Sequence, residues 1–118
     1  MFSVIFPGQG SQLVGMGKDL YAKYSLVQDL FKKADDTLGF SLSNLILNGP
    51  KEELDLTENT QPAIFLLSYS IFKLIKEEFK IDLGKAKFYA GHSLGEYSAL
   101  TAAGSLSFTD TLKILKIR

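Results

Sequence analysis

The stretch Tyr89-Ala90-Gly91-His92-Ser93-Leu94-Gly95-Glu96-Tyr97-Ser98-Ala99-Leu100 constrains this chain more than any other. A short apolar run, Phe88 to Ala90, leads the backbone into Gly91-His92-Ser93-Leu94-Gly95, and helix-permissive residues follow. The spacing is G-x-S-x-G, the pattern of a strand–turn–helix elbow that lifts a serine hydroxyl above the end of a sheet. A serine in so sharp a turn tolerates no bulk two residues before or after it, and glycine, lacking a Cβ, meets that demand. The N–H of Leu94 opens a helix without an internal partner and can stabilise a developing oxyanion. Ser93 is therefore the candidate nucleophile, and the predicted fold class is α/β, a parallel sheet with a nucleophile elbow.

A second strand is needed beside the elbow, and Phe2-Ser3-Val4-Ile5-Phe6 supplies it: short, β-branched and aromatic, stopped by Pro7-Gly8. The glycine-rich loop Pro7-Gly8-Gln9-Gly10-Ser11-Gln12 follows. It is not a dinucleotide fingerprint, because Leu13 stands where the third glycine belongs, and no P-loop lysine follows Gly10.

Helices are expected between and after the strands. Leu20, Tyr24, Val27, Leu30, Phe31 and Ala34 recur at helical spacing, which predicts one amphipathic helix from Asp19 to about Leu38, closed by Gly39. Asp35-Asp36 lie on its solvated face, since adjacent helical residues point apart. Leu42 to Leu47 reads as a short apolar turn ended by Asn48-Gly49-Pro50, and Lys51 to Leu56 as a charged connector with Glu52 and Glu53 at the surface. The longest helix is expected from Thr60 as N-cap with Pro62 in its first turn. It should be buried all round from Ala63 to Leu67, then emerge into water at Lys73, Lys76, Glu77, Glu78 and Lys80. Taken alone, Gln61 reads as a capping residue. Lys80 to Lys87 is a polar connector, and Leu94 to Ala103 a helix of small residues ended by Gly104. Ser107-Phe108-Thr109-Asp110 resembles a capping box, and the last helix carries Leu112, Ile114, Leu115 and Ile117 as its apolar arc. Lys113 and Lys116 should then point to solvent, while Arg118, four residues after Ile114 and three after Leu115, shares the buried face and needs an anion to pair with.

Gly91-His92-Ser93-Leu94-Gly95-Glu96-Tyr97-Ser98-Ala99 resembles the nucleophile segment of the malonyl-CoA:acyl-carrier-protein transacylases and of related acyltransferase domains in polyketide and fatty-acid synthases. Phe6-Pro7-Gly8-Gln9-Gly10-Ser11-Gln12 and Thr60-Gln61-Pro62-Ala63 are similar to two further motifs of that family, and the likeness runs from near Val4 to Arg118. The resemblance implies acyl transfer from coenzyme A to an acyl-carrier-protein thiol through an acyl-Ser93 ester, in fatty-acid biosynthesis. It implies oxyanion N–H groups from Gln9 and Leu94, a bidentate grip of Arg118 on the malonyl carboxylate, and Gln61 and His92 beside the substrate. The family's base is a histidine far downstream of the nucleophile, whereas the one histidine here, His92, leaves the backbone in a different direction from its neighbour Ser93 and suits a loop hydrogen bond better. The family also carries a small ferredoxin-like subdomain later in its chain. Residues 1–118 are accordingly expected to form the N-terminal portion of an acyltransferase domain. The alternatives are a truncated, non-catalytic remnant of such an enzyme and an esterase-like serine hydrolase, the latter opposed by Arg118.

Composition narrows the partners. Thirteen Lys and Arg balance thirteen Asp and Glu, which gives no bulk charge for nucleic acid or an anionic membrane. With no cysteine and one histidine, no metal site is expected. No apolar stretch approaches the roughly 20 residues of a membrane span. The expectation is a cytoplasmic monomer without a resident cofactor, acting on malonyl-CoA and an acyl carrier protein.

Overall fold

The computed structural model describes residues 3–79, 89–91 and 94–117. Two strands, β1 (Val4–Phe6) and β2 (Tyr89–Gly91), pair in parallel, with Val4 opposite Tyr89 and Phe6 opposite Gly91. Between them run α1 (Lys18–Lys23), α2 (Ser25–Leu38), α3 (Leu42–Asn48), α4 (Lys51–Leu54) and α5 (Thr57–Glu77). After β2 come α6 (Leu94–Ala102) and α7 (Phe108–Ile117). The parallel pair and its helical crossover agree with the α/β expectation; β2 continues to Gly91, one residue past the apolar run, and Phe88 and the connector 80–87 lie outside the described residues.

The expected helix from Asp19 to Leu38 is two helices. Tyr24 is extended, at φ −118° and ψ 121°, and ends α1 while opening α2. Gln28 Nε2 donates to Tyr21 O at 2.7 Å, satisfying a carbonyl that the break exposes. The apolar period survives the break, so the sequence alone conceals it. Gly39 closes α2 as expected, at φ 78°.

Leu42 to Leu47 is not a turn but the body of α3. Ser41 caps it, its Oγ accepting from Asn44 N at 3.3 Å. Asp35 is not solvated either: its carboxylate accepts from Ser43 N at 2.9 Å and from the Ser43 hydroxyl, tying the end of α2 to the start of α3. Asp36 remains exposed. The charged connector is the single turn α4, which buries Leu54 and leaves Glu52 and Glu53 exposed.

The long helix α5 begins three residues before the expected cap. Thr60 is buried inside it, and its hydroxyl donates back to Leu54 O and Leu56 O. Pro62 lies within the helix, where it has no N–H to donate to the carbonyl four residues back, that of Glu58. Ala63 to Leu66 are buried as expected, but Leu67 is only half-buried, and burial extends back instead to Thr60, Gln61 and Pro62.

The core gathers Val27 and Phe31 of α2, Leu42 and Ile46 of α3, Leu54 of α4, Phe65 and Leu66 of α5, and Leu112 and Leu115 of α7, all fully buried. Phe65, Tyr69 and Phe108 form its aromatic centre, with ring centroids 5.0–5.8 Å apart. A second, smaller cluster lies under the sheet: Phe6 and Val4 of β1 meet Phe72 and Ile75 of α5 and Ala99 and Ala102 of α6. Ser107 Oγ accepts from Asp110 N at 3.1 Å, one half of the expected capping box. The arc of α7 is narrower than expected: Ile114 and Ile117 are exposed, at 39% and 88%. Lys116, expected in solvent, is instead half-buried, with Nζ donating to Asn59 Oδ1 at 2.9 Å and lying 4.6 Å from the Phe40 ring centre.

Candidate active site

The sheet delivers its functional loops at one end, because parallel strands finish on the same side. β2 ends at Gly91 and α6 begins at Leu94, so only residues 92 and 93 separate strand from helix. His92 and Ser93, the elbow itself, lie outside the described residues, as does Arg118. A strand before them and a helix after them agree with the order that the G-x-S-x-G spacing demands. The N–H of Leu94 is in the first turn of α6, where the helix leaves it without an internal acceptor and adds the positive end of its dipole.

Gly95 fixes how near that first turn approaches β1. A Cβ built on Gly95 would stand 2.3 Å from Phe6 O and 3.1 Å from both Phe6 C and Pro7 O. All three are backbone atoms that no rotamer change can move. The glycine therefore seats the start of α6 directly on the end of β1, where the Pro7–Gln12 loop departs. The G-x-S-x-G spacing asks for glycine at position 95, and the contact with β1 is a second demand on the same residue.

The loop is held from the opposite side by the α4–α5 junction. Gln9 is exposed, and its Nε2 donates to Thr57 Oγ1 at 3.2 Å, on the first residue of α5. Gln12 Nε2 donates to Asp55 Oδ1 at 3.0 Å, while Gln12 Oε1 accepts from Gly10 N at 2.8 Å. Gly10 needs its freedom here, at φ 109°. Ser11 Oγ closes the turn onto Gly8 O at 2.8 Å. Asp55 also pairs with Lys51 at 2.5 Å. The Lys51 ammonium and then the Gln12 amide hold the Asp55 carboxyl below the usual carboxylate range, and Asp55 in turn raises Lys51.

Gln61 is not a cap. It is buried within α5, one helical turn after Thr57 and on the same side, so Gln9 and Gln61 converge on the first turns of one helix. Thr57 and Asp55, which anchor the loop, were invisible as site residues in the sequence; both look like ordinary connector polar groups. Ile114, expected on the buried face with Arg118, belongs to the exposed side of α7, while Leu115 is buried as expected. Among the described residues no group of three His, Cys, Asp or Glu could hold a metal ion, and no helix is long and apolar enough to cross a membrane. The described residues therefore bring the start of α6 and the Gln9 loop to the same end of the sheet.

The acyl transferase domain family matches residues 3–118. A malonyl CoA-acyl carrier protein transacylase of Haemophilus influenzae is 49% identical over 117 residues, covering 99% of this chain and 37% of the relative. One from Bacillus subtilis is 50% identical over 114 residues, 97% of this chain and 35% of its own length. The crystal structure of an acyl-carrier-protein S-malonyltransferase from Bartonella henselae superposes with a TM-score of 0.92 at 44% identity, over 99% of this chain and 38% of that one. A malonyl-transacylase solved in complex with a type II polyketide acyl-carrier protein gives 0.87 at 40% identity, over 98% and 37%. The chain thus spans a little over a third of the length of these relatives.

Proposed function

The chain belongs to the acyl transferase domain family, and we propose that it supplies the nucleophile-bearing part of a transacylase moving a malonyl group from coenzyme A to an acyl carrier protein. Ser93 Oγ attacks the thioester carbonyl carbon, the C–S bond breaks, and the hydroxyl proton leaves with the coenzyme A thiol. The carrier-protein thiol then attacks the acyl-serine ester and returns a proton to Ser93. The N–H groups of Gln9 and Leu94 stabilise the tetrahedral oxyanion of each step. Arg118 grips the malonyl carboxylate, and Gln61 and His92 line the substrate. The base belongs to the part of the relatives that lies outside the matched region, as does the small ferredoxin-like subdomain. The reaction belongs to fatty-acid or polyketide synthesis, carried out by a cytoplasmic monomer with the coenzyme A thioester as substrate rather than cofactor.

The observation that carries this reading is the seating of Gly95 on Phe6 and Pro7, which brings the start of α6 to the root of the Gln9 loop. Transacylases similar to this chain, and the carrier-protein complex of one of them, support the substrate pair. Intact mass spectrometry after incubation with malonyl-CoA tests it. A malonyl adduct is expected that is absent from Ser93→Ala. An adduct that persists in Ser93→Ala overturns the assignment.

A further inference from the structure

Lys116 stands in the last turn of α7, where a lysine ordinarily lays its stem on the surface and keeps its ammonium in water. This one is half-buried, with Nζ donating to Asn59 Oδ1 at 2.9 Å and 4.6 Å from the centre of the Phe40 ring. Among the described residues the ion pairs are Lys51–Asp55 and Lys73–Glu77, so a neutral amide and a ring face, not a carboxylate, hold this charge. The amide is itself fixed. Asn59 Nδ2 donates to Glu53 O at 2.9 Å, and turning the amide over would set two acceptors against each other. Glu53 O is one of the carbonyls at the end of the single-turn α4. Two residues on, Asp55 accepts from Gln12; four on, Thr57 accepts from Gln9. The end of α7 is thus bridged, across 57 residues of sequence, to the junction that anchors the Gln9 loop.

We propose that Lys116 and Asn59 are positioning residues for acyl selection. Their bridge sets the last turn of α7, which leads directly into Arg118, against the first turn of α5, which holds Gln9 and leads to Gln61. The inference rests on the reading that Arg118 takes the malonyl carboxylate while the Gln9 loop serves the thioester carbonyl. Those two groups of the substrate are one methylene apart, so a shift of about 1 Å between their supports breaks one contact or the other. An acetyl group has no carboxylate and is indifferent to that spacing. Loss of the bridge should therefore penalise malonyl alone, whereas a general loss of structure penalises both.

The test offers equal malonyl-CoA and acetyl-CoA together to the chain and follows the Ser93 adducts by intact mass. The parent should favour malonyl. Lys116→Met keeps a stem beside Phe40 but has no donor; it should lower the malonyl-to-acetyl ratio at least about tenfold with the acetyl rate unchanged. Asn59→Ala should lower the ratio likewise, and Lys116→Arg, which restores a charged donor, should return it to within about threefold of the parent. Lys113→Met removes the same charge from an exposed position of α7 and should leave the ratio alone. The amide resonances of Glu53 to Thr57 should shift in Lys116→Met and stay still in Lys113→Met, and circular dichroism checks that each variant keeps its helix. An unchanged ratio, a parallel fall of both adducts, an equal fall in Lys113→Met, or unmoved Glu53–Thr57 amides in Lys116→Met overturns the proposal. A parent that takes up no malonyl group overturns the transacylase reading instead, and this inference with it.

Discussion

Replacing Gly95 by alanine sets two effects of opposite sign against each other. In an ordinary helix the change is favourable by about 0.5–1 kcal/mol, because alanine restricts the unfolded chain and suits the helix. Here the new methyl would lie 2.3 Å from Phe6 O, with Phe6 C and Pro7 O at 3.1 Å. Ordinary contact needs about 3.4 Å or more, so α6 must withdraw by about 1 Å or the end of β1 must bend. Overpacking of this kind costs about 1–3 kcal/mol and sometimes more, and neither neighbour is a side chain able to rotate away. The steric cost wins, and the expected net loss is about 1–2 kcal/mol, read from the midpoint of a urea titration followed by circular dichroism. Gly104→Ala is the control. Gly104 has φ 88° but nothing within 4 Å of the added carbon, so that variant isolates backbone strain from crowding. The second consequence is functional, since moving α6 off β1 separates Leu94 from the root of the Gln9 loop and should slow acylation by more than stability alone explains. A Gly95→Ala chain as stable as the parent, acylated at the parental rate, would refute the reasoning about how the site is seated.

Three further outcomes are expected. Thr57→Val removes the hydroxyl that accepts from Gln9 Nε2; stability should change by less than about 1 kcal/mol, as for most exposed polar sites, while the acylation rate falls, and an unchanged rate would remove Thr57 from the site. Phe65→Ala empties the aromatic centre shared with Tyr69 and Phe108 and should cost about 3–5 kcal/mol, enough to abolish cooperative unfolding in a domain of ordinary stability; a loss under about 1 kcal/mol would place the core elsewhere. Asp55 has a lowered pKa in the folded chain, so its contribution to holding the loop is present above the ordinary value of 3.8 and is lost as the pH falls through the lowered folded value. Amide chemical shifts of the Gln9–Gln12 loop should move in that acidic window in the parent and stay still in Asp55→Asn.

Elements whose pattern is strong in one dimension were legible. The β-branched run at Val4–Phe6, the apolar half of α5 and the G-x-S-x-G spacing each carry their period or turn chemistry locally, and the structure places a strand, a buried helix, and a strand ending at Gly91 with a helix starting at Leu94 there. What was lost depends on partners remote in sequence. Tyr24 breaks a helix without interrupting its apolar period, and Gln28 satisfies the break from the following helix. Leu42–Asn48 becomes a helix because Ser41 and Asp35 supply its first N–H groups with acceptors, one from the preceding helix. Thr60 reads as a cap because threonine caps helices, yet its hydroxyl donates backward inside one. At the site, Gln9, Leu94 and Gln61 could be picked out by motif, whereas Thr57, Asp55 and the contact of Gly95 with Phe6 exist only once the chain is folded.

The most direct test of the central claim is a graft. Replacing the matched portion of the Haemophilus influenzae relative by residues 1–118 of this chain restores the length over which the relatives extend, including whatever supplies the base. Transfer of radiolabelled malonyl from coenzyme A to acyl carrier protein is then measured for the graft and for its Ser93→Ala form. The account expects turnover by the graft, with acyl-enzyme on Ser93, and a loss of about 10⁴-fold or more in Ser93→Ala. A folded graft without turnover, or turnover that survives Ser93→Ala, would contradict it.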